Sequence, residues 1–194
     1  DGRSITVRAK AIVNAAGVWS DQIRSMSDPG SDPSIRPAKG VHIALPWEKV
    51  RNGCAAGIPV RDGRSIFVVR WEAAAYVGTT DTAYDGPLDN PACTEADIDY
   101  LLAALNRVLS EPLKREDVIG SWAGLRPLLA GDGHAEKTAD LSRGHQVRTS
   151  PSKMITVTGG KLTTYRRMAS DTVDAVCAQL AIRKRCVTKR RTLS

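Results

Sequence analysis

Residues 153–168, KMITVTGGKLTTYRRM, carry the pattern that fixes the fold: an apolar β-branched run, two glycines and a lysine, then a helical segment. Residues 154–158 are typical of a buried strand. The glycines allow the backbone to approach a ligand closely, and Thr163 or Thr164 can cap the following helix. The positive end of that helix dipole would then face an anion or an electron-rich ring. A glycine turn between a strand and a helix is also an ordinary packing joint, so the spacing alone leaves both interpretations open.

The rest of the chain alternates strand and helix patterns, which predicts a mixed α/β fold. On the amino-terminal side we expect a short helix over residues 20–26 and a linker over 27–37. A threonine with an acidic residue three positions later, Thr94 and Asp97, predicts the start of an amphipathic helix. A polar loop is expected over 130–143. The predicted strands are residues 5–7, 11–15, 42–45, 65–70, 75–79 and 118–125, with the central ones forming an antiparallel sheet.

Composition and charge exclude several classes of protein. With 42% hydrophobic and 25% charged residues the chain can build a core, and no apolar run reaches the roughly 18 residues of a membrane helix. The net charge of +7 comes from six Lys and Arg residues within 183–191. Because that tail has no aromatic residues on which bases could stack, we expect no nucleic-acid partner.

Motifs of other enzyme classes are absent from the sequence. The four cysteines form no C-x-x-C pair, so we expect reduced thiols and no metal site. There is no G-x-S-x-G of a serine hydrolase. The GGKLT segment lacks the G-K-[ST] of a phosphate-binding P-loop.

Five segments follow one another along most of the chain. They are NAAGVWSDQI (14–23), RPAKGVHIALP (36–46), YVGTTDTAYDG (76–86), WAGLRPLL (122–129) and GGKLTTYRRMA (159–169). In order and spacing they resemble the signatures of FAD-dependent, quinone-linked glycerol-3-phosphate dehydrogenases. NAAG and RPAKG are shared more widely among FAD-dependent amine and hydroxy-acid oxidoreductases, whereas the pairing of GTTDT with GGKLTTY narrows the resemblance to the glycerol phosphate enzymes.

This resemblance implies an α/β fold of the glycine or D-amino-acid oxidase type. It assigns residues 1–25 and 140–182 to returning parts of a FAD-binding domain, 26–139 to a mixed or antiparallel-sheet substrate domain, and 183–194 to a basic tail toward a helical domain. The Gly-x-Gly-x-x-Gly turn that holds the ADP half of FAD in the resembled enzymes does not occur in the sequence. We therefore expect an interior piece of a longer flavoenzyme that retains little FAD and little activity by itself.

The resemblance also implies a reaction, in which a hydride passes from C2 of sn-glycerol 3-phosphate to the flavin and leaves dihydroxyacetone phosphate. Arg126 is the candidate phosphate ligand, since a guanidinium binds phosphate oxygens bidentately. His42 is the candidate base, because histidine titrates near neutral pH. Lys161 would stabilise negative charge developing on the substrate or the flavin.

Other residues are expected around these three. Lys39 joins His42, Arg126 and Lys161 as a substrate-binding residue, with residues 80–82 lining the same pocket. The residues expected at the cofactor are Ala16, Gly17, Gly159, Gly160, Lys161, Leu162, Thr163 and Thr164.

Ordinary structural interpretations of these residues stay open. Arg126 is also suited to an ion pair, His42 to a structural place in a strand, Lys161 to a solvated helix end and Gly17 to a tight turn. Two other functions stay open as well. One is an amine or amino-acid oxidase of the same superfamily, and the other is a non-catalytic domain that binds anions through the GGK segment and the basic tail.

The resemblance further implies partners and a location. Electrons would pass to a quinone or another acceptor, and the protein would be cytoplasmic and peripheral to the inner face of the cell membrane. Exposed sheet edges favour pairing with a second copy, so a homodimer is a hypothesis of the sequence.

Overall fold

The computed structural model describes residues 2–130 and 144–192. The chain forms two compact units. Unit 1 consists of Asp1–Arg36 and Pro127–Ser194, and unit 2 consists of Pro37–Arg126. These limits differ by about ten residues from the domain limits expected near residues 25 and 139, the second of which lies outside the described residues. The domain assignment therefore stays a prediction.

Unit 1 contains a three-stranded sheet in the order β1-β9-β8. β1 and β9 are parallel, whereas β8 and β9 are antiparallel. Because parallel strands run in the same direction, their carboxyl ends lie at one edge of the sheet. The elements of unit 1 are β1 (Val13–Asn14), α1 (Ser20–Ser27), β8 (His145–Thr149), β9 (Ile155–Gly159) and α4 (Tyr165–Gln179).

The predicted strand at residues 5–7 is wrong. Residues 2–9 form no strand in the described structure, and the side chains of Ile5 and Val7 are 84% and 82% exposed. An apolar alternation makes a stable strand only where a neighbouring strand bonds its backbone groups, and the described residues supply none here. The other local predictions in unit 1, a strand before the glycine pair and helices after residue 19 and after the glycines, are confirmed.

Unit 2 is built on an antiparallel sheet in the order β3-β4-β5-β2-β6, with β7 also pairing with β2. The prediction of an antiparallel sheet in the middle of the chain is therefore confirmed. The strands are β2 (Ile35–Pro46), β3 (Ala56–Pro59), β4 (Ser65–Trp71), β5 (Ala74–Gly78), β6 (Thr82–Ala83) and β7 (Gly120–Leu129), and the helices are α2 (Trp47–Val50) and α3 (Glu95–Leu105).

Two strands of unit 2 are longer than the sequence predicts. The expected linker over residues 27–37 gives way at Ile35 to β2, a twelve-residue strand of which the predicted 42–45 is only the later part. Pro37 and Gly40 within it weaken the strand pattern in the sequence. The expected extension over 118–125 is observed as β7, which continues to Leu129. The expected polar loop over 130–143 lies, apart from Ala130, outside the described residues.

One face of the unit 2 sheet forms a hydrophobic core with α3. Alternate residues of a strand point to the same face, so the odd-numbered positions of β2 and β5 share the side that α3 covers. α3 begins at Glu95 because Thr94 and Asp97 form the predicted capping box. The buried core comprises Val41, Ile43, Leu45, Ile66, Val68, Ala75, Val77, Leu101, Leu102 and Leu105.

The described helices include none with the length and apolar character needed to cross a lipid bilayer.

Candidate active site

The face of the unit 2 sheet opposite α3, here called the second face, carries the predicted reactive side chains. His42 on β2 pairs directly with Gly78 on β5, so both lie on this face. Tyr76 lies two positions before Gly78, on the same face. On β7, Trp122 and Arg126 are four residues apart and also point to a common side. The structure therefore brings His42 and Arg126 together, as the sequence predicts.

Arg126 is held by the segment that follows β5. Its Nη2 donates to Thr79 Oγ1 at 3.0 Å and to the carbonyl of Thr80 at 3.2 Å. Its Nη1 lies 3.5 Å from the carboxylate of Asp81, whose side chain is 7% exposed. The Arg126 side chain itself is 29% exposed. The guanidinium is thus fixed by its neighbours, while part of the side chain remains exposed.

Two glycines provide the space in which these side chains lie against the sheet. A Cβ on Gly40 would overlap the guanidinium of Arg126, and a Cβ on Gly78 would overlap the ring of His42. Such contacts are shorter than real Cβ atoms allow, so only glycine permits these side-chain positions. The glycines of RPAKG and VGTT therefore have a packing reason, which is independent of any need for unusual backbone angles.

Trp122 orders His42. The two rings are stacked, with centroids 5.4 Å apart and planes inclined by 8°. Tyr76 meets Trp122 edge-on at 5.2 Å. Burial of the imidazole, and after it the positive charge of Arg126, lower the pKa of His42 below its ordinary value of 6.5. His42 is therefore neutral at pH 7 and able to accept a proton.

Lys39 does not join this group. It lies one position before Gly40, so its side chain belongs to the α3 side of the sheet, where it is buried. Its Nζ is 2.6 Å from Asp97 and donates to the carbonyl of Ala92 at 3.2 Å. The expectation of a substrate ligand is therefore replaced by a structural ion pair, since a buried ammonium requires a carboxylate partner.

The two threonines expected in the pocket, Thr80 and Thr82, lie in different surroundings. The Thr80 side chain is buried, and its Oγ1 accepts the backbone N–H of Val41 at 3.0 Å. Thr82 lies on β6, where it is exposed and pairs with Lys39. The threonine that contacts Arg126 through its side chain is Thr79, which the sequence analysis did not single out. Asp81, which lies within the expected segment 80–82, is next to Arg126. Gly40, Gly78 and Trp122 were missed; the four-residue spacing of Trp122 and Arg126 in an extended segment was the available signal.

In unit 1, the two groups of residues expected at the cofactor approach one edge of the sheet. Gly17 follows β1 and the pair Gly159 and Gly160 ends β9, and β1 and β9 are parallel. Ligands of open α/β sheets bind outside the carboxyl ends of such strands. Gly17 has a positive φ of 59°, and a Cβ there would meet nothing within 4 Å, so the turn borders open space. This edge fits the FAD that the sequence resemblance implies.

The glycine pair itself has a packing role. Gly159 and Gly160 have φ of 73° and 77°, which favours glycine. A Cβ on Gly159 would overlap the carbonyl of Gly144, and one on Gly160 would overlap the Met168 side chain. The Gly160 N–H donates to the carbonyl of Gly144 at 3.0 Å. This N–H is therefore used within unit 1.

The turn after the glycines is a 3-10 helix, Leu162–Thr164, that leads into α4. Thr164 Oγ1 accepts the N–H of Lys161 at 3.1 Å, which caps this turn. The expected side-chain cap on α4 itself is absent, since neither Thr163 nor Thr164 forms it. Residues 161–165 are exposed, with Leu162 at 88%. They present an accessible apolar and cationic surface next to the glycine turn.

The other described histidine, His145, has a structural place. His145 Nε2 lies 2.8 Å from Asp171, which also accepts from Arg167, so this histidine joins β8 to α4. His134 lies outside the described residues. Among the residues described, no group of three or more His, Cys, Asp and Glu side chains could hold a metal ion.

Comparison with known proteins agrees with this arrangement. Residues 1–166 match the family model described as FAD dependent oxidoreductase. Over 176 residues the chain is 42% identical to glycerol-3-phosphate dehydrogenase 2 of Mycobacterium tuberculosis, an alignment that covers 90% of this chain and 29% of the relative. The chain thus spans less than a third of that relative's length.

Two solved structures bear on the fold. The glycerol-3-phosphate dehydrogenase of Bacillus halodurans, complexed with FAD, superposes with a TM-score of 0.81 at 39% identity, over 94% of this chain and 34% of that one. The glycine oxidase of Geobacillus kaustophilus matches with a TM-score of 0.57 at 16% identity, over 91% of this chain and 43% of that one, which concerns the fold alone. The expected fold type and the resemblance to glycerol-3-phosphate dehydrogenases are therefore confirmed, and the chain belongs to the FAD dependent oxidoreductase family.

Proposed function

We propose that the protein to which these residues belong is a FAD-dependent dehydrogenase that oxidises sn-glycerol 3-phosphate to dihydroxyacetone phosphate. The observation that carries the proposal is the pairing of the Arg126 guanidinium with a neutral His42 on the glycine-lined second face. The similarity to glycerol-3-phosphate dehydrogenases supports the choice of substrate.

Each of the two side chains has a distinct task in this proposal. Arg126 binds the phosphate dianion, because its fork of N–H donors matches phosphate oxygens. Thr79 and Thr80 hold the guanidinium in place for that contact. His42 accepts the proton of the C2 hydroxyl, and the stacked Trp122 keeps its ring in one orientation.

The cofactor is proposed to lie at the edge of the unit 1 sheet. Ala16, Gly17, Gly159 and Gly160, with residues 161–164, are the candidates to hold FAD. When bound, FAD supplies the redox chemistry by accepting two electrons from the substrate. The exposed ammonium of Lys161 would stabilise the negative charge that develops during the reaction.

Anaerobic reduction of the bound flavin tests the proposal directly. In the FAD-loaded protein, glycerol 3-phosphate should bleach the flavin absorbance, whereas glycine and sarcosine should leave it unchanged. Bleaching by the amino acids instead would favour the amine oxidase alternative. Binding of anions that is independent of flavin and declines with salt would favour a non-catalytic domain. The 194 residues alone should give little bleaching, and strong bleaching would contradict that expectation.

The proposal extends to partners and location. Electrons pass to a quinone, and the protein lies on the cytoplasmic face of the cell membrane as a peripheral protein. Six basic residues within 183–191 support attraction to anionic lipid, since each basic residue near such a surface contributes about 1 kcal/mol. Sedimentation with anionic vesicles, but not with neutral ones, is the expected result.

Two further measurements complete this extension. The reduced protein should transfer electrons to a soluble quinone analogue faster than to oxygen. Sedimentation velocity should show a homodimer, and a sharply monomeric profile would contradict that part of the proposal. No nucleic-acid partner is expected.

A further inference from the structure

A small polar cavity in unit 1 is independent of the residues discussed so far. Its volume is about 180 Å³, and it lies between the end of α1, the loop that follows it, and strands β8 and β9. A water molecule occupies about 30 Å³ in the liquid, so the cavity has room for a tetrahedral oxyanion together with a few waters. The residues that line it are Arg24, Asp28, Ser31, Ser34, Arg148, Thr149, Ser150, Pro151, Thr156 and Thr158.

Three buried polar atoms on this lining have no hydrogen-bond partner among the described residues. They are Arg24 Nε, Ser31 Oγ and Thr156 Oγ1. Thr156 is 95% buried, because its exposed fraction is only 5%. Buried polar groups without a partner are rare, since each one costs about 1–3 kcal/mol. A ligand that accepts hydrogen bonds could provide the partners that these atoms lack.

The walls of the cavity are fixed by hydrogen bonds. Asp21 accepts the N–H groups of Ser34 at 2.8 Å and Ile35 at 2.9 Å, which ties the loop to α1. Arg24 Nη2 donates to Asp21 at 2.9 Å and to the carbonyl of Asp32. These contacts use Nη2 of the guanidinium and leave the buried Nε–H without a partner among the described residues. The site is therefore already formed without a ligand.

The charges and hydrogen-bond donors of the lining indicate which class of ligand fits the cavity. Arg24 and Arg148 supply two positive charges against the single carboxylate of Asp28. That carboxylate already accepts the N–H of Ser152 at 3.1 Å and its hydroxyl at 2.7 Å. Arg24 Nε–H is a donor only, so a metal ion would find no ligand there. Because Asp21 already pairs with Arg24, the unused donors of the lining, more than its net charge, suit the cavity to an anion.

We infer that this cavity binds a small tetrahedral oxyanion of the phosphate or sulfate type through Arg24 Nε, Ser31 Oγ and Thr156 Oγ1. Charge-assisted hydrogen bonds to an oxyanion are stronger than bonds to water. The site is separate from the phosphate contact proposed for Arg126, which belongs to unit 2.

The test is an NMR titration of the full chain with inorganic phosphate at constant ionic strength. The chain carries Arg126→Ala, so that phosphate bound on the second face does not contribute. We expect saturable shifts of amide signals in residues 24–34 and 148–158. Sulfate should compete and chloride should not. An absence of saturable shifts in these residues would mean that the cavity holds water only, and the inference would be wrong.

Variants identify the atoms involved. Thr156→Val removes one hydroxyl with little change in shape, and Ser31→Ala removes another. Each should raise the Kd for phosphate about tenfold, the effect of losing one hydrogen bond to a charged group. Arg8→Gln, which removes an exposed positive charge of the same unit, is the matched control and should leave the Kd unchanged. If Thr156→Val and Ser31→Ala both retain the original Kd, the anion binds elsewhere and the inference fails.

Discussion

Arg126 is the side chain whose removal should weaken substrate binding most directly. In the FAD-loaded protein, Arg126→Ala should raise KM for glycerol 3-phosphate about thirtyfold, because a charged hydrogen-bonding partner contributes about 2 kcal/mol. Steady-state kinetics give the value, and thermal unfolding shows whether loss of the contacts with Thr79 and Thr80 also reduces stability. The control is Arg61→Ala, which removes an exposed arginine of the same unit. An unchanged KM in Arg126→Ala would contradict its role as phosphate ligand.

Gly78 can be tested with a matched glycine. In Gly78→Ala the new Cβ overlaps the ring of His42, so either the ring or the strand must move. Overpacking of this kind costs about 1–3 kcal/mol. We expect urea denaturation to show this loss, and NMR to show displaced signals of the His42 ring. Gly124→Ala, where a Cβ would meet nothing within 4 Å, should change neither quantity. Equal effects of the two substitutions would exclude the packing role.

The effect of His42 protonation on the free energy of unfolding has a predictable sign. Burial and the charge of Arg126 lower its pKa below 6.5 in the folded protein, so the unfolded chain binds the proton more readily. The free energy of unfolding should therefore fall as pH drops below 6.5. NMR titration should show a pKa under 6.5 that rises in Arg126→Gln, since one of its two causes is removed. A pKa of 6.5 or higher in the folded chain would contradict this account.

At the level of elements, the ion pair between β2 and α3 is a strong determinant of stability. The side chains of Lys39 and Asp97 are only 9% and 8% exposed. In Asp97→Asn the amide oxygen can still accept from Thr94, but the Lys39 ammonium is left buried without a countercharge. We expect a loss of about 3 kcal/mol in the free energy of unfolding. The double variant Lys39→Met with Asp97→Asn should recover most of it, and additive losses would show that the pair is not coupled.

The contribution of the α3 cap to stability can be tested by a variant that keeps both members of the ion pair. Thr94→Ala removes the side-chain oxygen that accepts the Asp97 N–H and that donates to Asp97 Oδ2, but it keeps both partners of the Lys39–Asp97 ion pair. The expected loss is about 1 kcal/mol, typical of an N-cap substitution. Urea denaturation measures it beside Asp97→Asn. A loss as large as that of Asp97→Asn would mean that the cap, not the ion pair, dominates at this position.

These elements also show which features a sequence can predict. α3 and β9 were predictable because a capping box and an apolar run ending in glycines are local signals. The absence of a strand at residues 5–7 was not predictable, since strand formation depends on a neighbouring strand that local sequence does not reveal. For the candidate site, the motif resemblance singled out His42 and Arg126, and the structure places them on one face of the sheet. Lys39 was misassigned because a shift of one residue along a strand moves a side chain to the other face.

For the chain as a whole, the two units differ in how much core they possess. The large hydrophobic cluster, from Val41 to Leu113, lies entirely within unit 2. Among the described residues of unit 1, buried apolar side chains are fewer and include Val18, Met154 and Ile155. Because regional stability follows buried apolar contact, unit 2 should be the more stable part of the described chain.

Hydrogen exchange of the full chain tests this difference. Amides of β2, β4 and β5 should exchange more slowly than those of β1, β8 and β9, because the former open only when the core around α3 unfolds. Leu101→Ala, which leaves a cavity under α3, should cost about 2–5 kcal/mol and speed exchange in unit 2 while leaving unit 1 unaffected. The matched control is Leu162→Ala, at an exposed position of unit 1. If Leu101→Ala accelerated exchange equally in both units, the chain would unfold as one cooperative body, and the division into two separately stabilised units would be wrong.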